Sequence, residues 1–166
     1  MYSSLKATKS IVDNHIKDLS PFKFSYFLGQ SSTYLSVEDV QYFMFEAKKT
    51  PESSVIYENL TKSMAGLLLI YPKRPDYRDA SLVILTKNGI DIDHNEFART
   101  AKPIIAAKFS KENLFCMRSN ILTSETDQIK ILEAIGFEKE VHMKEHVYYD
   151  LKYVDAFAYT LFGKNL

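Results

Sequence analysis

Residues 64 to 71 read Met-Ala-Gly-Leu-Leu-Leu-Ile-Tyr, an unbroken apolar run. Eight residues fall far short of the roughly 18 that cross a membrane. A short run without polar alternation reads instead as a buried strand. Such a strand needs a sheet around it and other elements over that sheet, and the flanking sequence supplies both. Ser54–Glu58 reads as a strand before it. Pro72 to Asp79 reads as a turn and Ala80–Thr86 as the strand after it, so that the three form an antiparallel meander.

Helical periodicity surrounds this meander. Ser36 and Asp39 have capping-box spacing, and the helix they open runs to about Lys49, with Val40, Phe43 and Met44 on one face. Thr50-Pro51 ends it, because a residue before proline is biased away from helix. After Lys87-Asn88-Gly89, the residues Phe97, Ala101, Ile104, Ile105 and Phe109 recur at helical spacing. Pro103 leaves two starts open for that helix. A start near Asn95 puts proline two turns in, at a cost of about 3 kcal/mol, whereas a start near Thr100 puts it in the tolerant first turn.

Asn113–Arg118 reads as a short strand. Ser124 and Asp127 form a second capping box, and Ile129, Leu132 and Ile135 line the helix it opens. Gly136 is the expected stop. Phe137–Tyr149 and Lys152–Phe162 read as two long strands joined at Asp150-Leu151. The predicted fold class is therefore α+β (α/β), a single mixed, mostly antiparallel twisted sheet flanked by helices. The 166 residues fit one domain, 1–166, with residues 1–35 as a divergent N-terminal segment.

Composition narrows the function classes. Hydrophobic residues make up 46% of the chain, enough for a core without a metal or disulfide staple. The single cysteine, Cys116, excludes an intrachain disulfide and reads as a core residue. With no signal-like or membrane-spanning run, the chain is expected to be cytoplasmic, with no membrane partner. Lys+Arg and Asp+Glu balance at 21 each, which gives no electrostatic reason to expect nucleic acid. Lys73, Arg74 and Arg78 read as a charged turn. The 11 Tyr and 11 Phe favour ordered strands. His142 and His146 lie four apart on a predicted strand, about 13 Å at ~3.3 Å per residue, so one metal ion cannot bridge them.

The specific signal lies near the C-terminus. Leu132-Glu133-Ala134-Ile135-Gly136-Phe137-Glu138-Lys139-Glu140, then His146-Val147-Tyr148-Tyr149-Asp150 and Lys152 to Tyr159, resemble the corresponding segments of GNAT N-acetyltransferases. The branch containing the ribosomal-protein N-terminal acetyltransferases is the most similar. The resemblance is good over residues 124–162 and weaker, in the right order, over 36–123. It implies that acetyl-CoA enters between Ala80–Thr86 and the strand after the central helix. Cofactor-binding positions implied by it are Leu85, Thr86, Asn95, Phe97, Ala98, Arg99, Thr100 and Gln128. It also implies direct attack of an amine on the thioester, without a covalent acyl-enzyme. The acceptor would be a small-molecule or protein amine.

The chain departs from that family in the acetyl-CoA loop. The family carries glycines there, so that backbone N–H groups approach a diphosphate at the helix N-terminus. Asp93-His94-Asn95-Glu96-Phe97-Ala98-Arg99-Thr100 contains none, and Asp91, Asp93 and Glu96 add negative charge. Arg99, Lys102 and Lys108 read either as positive charge in place of those backbone amides or as a solvated helix face. Glu125 occupies a family position near the second helix start; it reads as a base acting through water or as a complement to the helix dipole. His146 matches a family histidine, either structural or in the substrate cleft. A tyrosine acid found in many relatives is replaced by Leu132.

Two expectations follow. One is an acetyl-CoA-dependent N-acetyltransferase. The other is a GNAT-fold protein without that activity, acting as a binding or assembly module or using another acyl donor. An acyl-amino-acid synthase fed by an acyl carrier protein is a third, and a homodimer across the aromatic C-terminal hairpin is a further expectation.

Overall fold

The computed structural model describes residues 1–6, 52–87, 91–149 and 151–165. The helix expected over 36–49 lies outside them. Seven strands form one sheet: β1 (Tyr2–Lys6), β2 (Glu52–Glu58), β3 (Met64–Arg74), β4 (Asp79–Thr86), β5 (Cys116–Leu122), β6 (Glu138–Tyr149) and β7 (Lys152–Phe162). Their order is β1-β2-β3-β4-β5-β7-β6, and every neighbouring pair is antiparallel except β4 with β5. Two α-helices belong to the described residues, α1 (His94–Glu112) and α2 (Thr126–Ile135). The mixed, mostly antiparallel sheet with helices is the predicted architecture.

The apolar run explains the centre of the sheet. Leu68, Ile70, Leu82 and Ile84 join one core with Phe97, Ala101 and Ile105 of α1 and Ile131, Leu132 and Ile135 of α2. Leu67, Leu69, Val83 and Leu85 alternate with them, so they point to the opposite face, where they are buried as well. Both faces of β3 and β4 are dry, which is why neither strand alternates in sequence.

Several boundaries differ from expectation. β1 carried no recognised signal, because a short polar edge strand has little periodicity. Pro72 to Asp79 is not one turn: β3 runs on to Arg74, a 3-10 turn spans Pro75–Tyr77, and Asp79 opens β4. β5 starts at Cys116, not Asn113, because Asn113 adopts left-handed geometry (φ 49°) and caps α1. β5 also runs past Arg118 to Leu122. The Ser124/Asp127 capping box does not form; the cap of α2 is Glu125. Gly136 stops α2 as expected, with φ 112°, donating to the Leu132 and Glu133 carbonyls.

α1 starts at His94, which decides between the two starts and leaves Pro103 in the helix interior. Proline there lacks the N–H that would bond to the carbonyl four residues back. Its ring lies on the exposed side, so the core face of α1 keeps its packing.

Gly66 sets how closely α1 rests on the sheet. A Cβ at Gly66 would stand 2.5 Å from the Leu85 carbonyl oxygen and 3.0 Å from the Phe97 ring. Gly66→Ala should therefore destabilise the protein by roughly 1–3 kcal/mol. Thermal unfolding should show a melting point lower by about 2–4 °C per kcal/mol. An unchanged melting point would mean that Phe97 does not press on β3.

Candidate acyl-donor site between β4 and β5

The parallel pair at the centre of the sheet is incomplete. β4 and β5 pair at only three positions, Asp79 with Cys116, Ala80 with Met117 and Ser81 with Arg118. β4 stays paired with β3 along its whole length, and β5 stays paired with β7. From Leu82 to Thr86, β4 has no strand partner on the β5 side among the described residues. Backbone groups of alternate residues therefore face a gap instead of a neighbour. Buried backbone polar groups need partners. Leu85 and Thr86 lie on the β4 wall, both buried, Thr86 on the helix-covered face. Cys116 is buried at the closed, paired end, away from the opening.

Glu125 stands in the open end. The Thr123 N–H donates to the Asp155 carbonyl on β7 at 3.1 Å. Successive residues of an extended segment direct their N–H groups to opposite sides, so that of Leu122 points toward β4. It donates to Glu125 Oε2 at 2.9 Å. The Glu125 backbone N–H returns a bond to the Leu122 carbonyl at 3.0 Å. This pairing explains why Glu125, not Ser124, ends up as the helix cap. The carboxylate is 5% exposed, and Gln128, one turn on, is equally buried. The Glu125 side chain makes no cap bond to the helix and turns back to the strand.

The N-terminal end of α1 is built differently from an anion site. Asp93 caps it, accepting the Glu96 N–H on Oδ1 at 3.0 Å. Glu96 Oε1 accepts from Arg99 at 3.1 Å, and its other oxygen lies 3.1 Å from the Met1 amino nitrogen. Asp93, Asn95, Glu96 and Arg99 line a shallow recess of about 330 Å³. His94 Nε2 meets Asp127 Oδ1 of α2 at 2.9 Å, tying the two helix N-termini together. Thr100 is part-buried, its hydroxyl donating to the Glu96 carbonyl at 3.0 Å. Phe97 and Ala98 are core residues, Phe97 meeting Tyr2 edge to face with ring centres 6.0 Å apart.

An acyl-thioester arm suits the gap, because an extended arm can pair with strand backbone that has no neighbour. A diphosphate does not suit the helix end. Two carboxylates stand where it would lie, one of them already holding a backbone amide. Lys108 offers no compensation: it is 7% exposed and locked between Glu52 and Glu112, at 2.6 Å each. Lys102 is exposed on α1.

The structure separates the two expected catalytic residues. β6, which carries His146, lies two strand spacings from β5, about 10 Å at ~4.8 Å per strand. His146 is exposed on a bulge between Met143 and Val147, in which Glu145 has φ 47°. Asp155 holds that bulge, accepting the Glu145 N–H at 2.8 Å and meeting His142 Nε2 at 2.7 Å. Leu132 is core. Tyr159 bonds Glu133 at 2.8 Å, and burial, then Glu133, pushes its phenol up to about 12. No group of three metal-ligating side chains occurs among the described residues. No helix among them is long and apolar enough to cross a membrane.

The Lys108 cluster carries a pH signature. Its hydrogen bond from Lys108 lowers the Glu52 carboxyl below the usual carboxylate value. A depressed carboxylate stabilises the fold above its unfolded pKa, and that contribution is lost as pH falls through the folded value. Lys108→Met should therefore cost roughly 1–2 kcal/mol at neutral pH. The penalty should shrink in acid, as Glu52 protonates. Denaturant titrations at pH 7 and pH 3 check this, and equal penalties would contradict it.

The sequence matches no protein-family model, and no curated protein matches it significantly. Solved structures do match. A GNAT-family acetyltransferase from Bacillus anthracis superposes with TM-score 0.73 at 11% identity, covering 98% of this chain and 95% of that one. The ribosomal-protein-S5-alanine acetyltransferase from Vibrio fischeri gives 0.70 at 14%, covering 99% and 94%. The spermidine N-acetyltransferase from Vibrio cholerae, in complex with CoA and spermine, gives 0.69 at 16%, covering 99% and 96%. This chain has the fold of the GNAT acetyltransferases over nearly its whole length.

Proposed function

We propose that this protein is an acyltransferase that moves an acyl group, acetyl in the simplest case, from a thioester to an amine. The observation that carries this reading is the β4–β5 gap with a buried carboxylate, Glu125, turned into its open end. A thioester supplies an activated acyl carbon. In the transfer the amine nitrogen bonds to that carbon, the carbon–sulfur bond breaks, and the nitrogen's proton must leave. Glu125 takes that proton, directly or through one water. The Leu122 N–H holds its carboxylate in place. The backbone of Leu82 to Thr86 orients the donor arm.

The acceptor is an amine. The neighbours act on spermidine and on a ribosomal-protein alanine by their names, so these classes belong in a first acceptor panel. The protein works as a single domain in this reading.

Thiol release from acetyl thioesters, measured with spermidine and with alanine-initiated peptides, tests the activity. Glu125→Gln keeps an acceptor for the Leu122 N–H but removes the base. It should lower kcat/KM about 100-fold with little change in melting point. A variant as active as the parent removes Glu125 from the chemistry. Calorimetry that shows no thioester binding at millimolar ligand rejects acyl transfer and favours a non-catalytic binding module.

A further inference from the structure

The mouth of the gap contains three contacts that hold neither an acyl arm nor the core. Asp93 takes the Glu96 amide at 3.0 Å. Glu96 takes the Arg99 guanidinium at 3.1 Å. His94 and Asp127 join the starts of α1 and α2 at 2.9 Å. Each one engages a group that a diphosphate at this place would need. A helix N-terminus binds an anion through free N–H groups at the positive end of its dipole. Here the Asp93 carboxylate already takes the Glu96 N–H and sets a negative charge at the positive end of the dipole. Arg99, the cation lining the recess, and the Met1 amino group beside it both already face Glu96. α1 follows the open end of β4 and α2 follows that of β5, and the His94–Asp127 contact joins the two helix starts.

Among the described residues β4 has no strand neighbour on the β5 side from Leu82 to Thr86, and the Glu125 carboxylate stands at the open end, so the arm-binding half of the site is retained while the diphosphate half is replaced.

We infer that this protein takes its acyl donor through the thioester-bearing arm alone, without binding a diphosphate, so that a pantetheine thioester serves it as well as a coenzyme A thioester. This rests on the acyl-transfer reading above. The chemistry is unchanged: the amide bond forms, the carbon–sulfur bond breaks, and the thiol of the arm leaves with a proton. Two sources share this chemistry, a free pantetheine thioester and the prosthetic arm of an acyl carrier protein.

Steady-state rates with acetyl-CoA, acetyl-pantetheine and an acetylated acyl carrier protein test the inference. The expected result is kcat/KM for the first two within about threefold. A carrier-protein rate above both identifies the carrier as the source, and no gain from the carrier identifies the free thioester. Asp93→Ser with Glu96→Gln keeps a capping oxygen and removes two negative charges. It should improve KM for acetyl-CoA about tenfold or more and leave acetyl-pantetheine within about twofold. A parent enzyme that prefers acetyl-CoA by more than about 30-fold overturns the inference but leaves acyl transfer standing. So does a folded double variant whose donor preference does not move. Absence of binding and turnover with all three donors rejects the acyl-transfer reading, and this inference with it.

Discussion

The parallel ladder between β4 and β5 stops after three residue pairs, and the rest of the site depends on that stop. Each strand has a complete antiparallel partner on its outer side, β3 for one and β7 for the other. Those two ladders hold the strands firmly enough for their inner edges to part. A parallel pair is slightly weaker per residue than an antiparallel one, so the divergence is placed at the least costly seam of the sheet. Both helices follow from it. α1 comes after β4 and α2 after β5, which brings both helix N-termini to the open end, where their amides, dipoles and caps determine what can enter.

Local capping and ligand binding compete for the same groups there. Asp93 is a good cap because its carboxylate satisfies an orphan amide, and for the same reason it repels an incoming anion. Two unit charges about 4 Å apart interact by about 1 kcal/mol in water and about 4 kcal/mol near a protein surface. Asp93 and Glu96 thus oppose an incoming diphosphate, and the Arg99 guanidinium and the Met1 amino group are already drawn to Glu96. The Asp93 cap gives the helix terminus a partner of its own. Glu125 shows the same rivalry at the other helix, where strand backbone wins the side chain and α2 starts without a side-chain cap bond.

Much of the fold was legible in the residues. The Met64–Tyr71 run announced a strand buried on both faces, and Gly136 announced a helix stop, because burial and left-handed φ each leave a local mark. The glycine-free Asp93–Thr100 segment was equally plain. β1 was not readable, since Tyr2–Lys6 is a short, half-exposed edge strand with no run or stripe. Nor was the start of α1, because Pro103 costs helix anywhere beyond the first turn and only packing of Phe97, Ala101 and Ile105 against the sheet outweighs it. The candidate site was half legible. Glu125 and Gln128 could be singled out by position, but that Glu125 turns back to Leu122, and that His146 lies two strands away, depends on strand order.

The sequence by itself therefore determined most of the element types, the buried centre of the sheet and the glycine-free Asp93–Thr100 segment, because each is a property of residues close together in the chain. Tertiary structure alone decided where β4 and β5 part, which carboxylate stands in the opening and which helix termini meet across it. Those are relations between residues far apart in sequence, such as His94 with Asp127 and Leu122 with the β4 side of the sheet, and no local pattern encodes them.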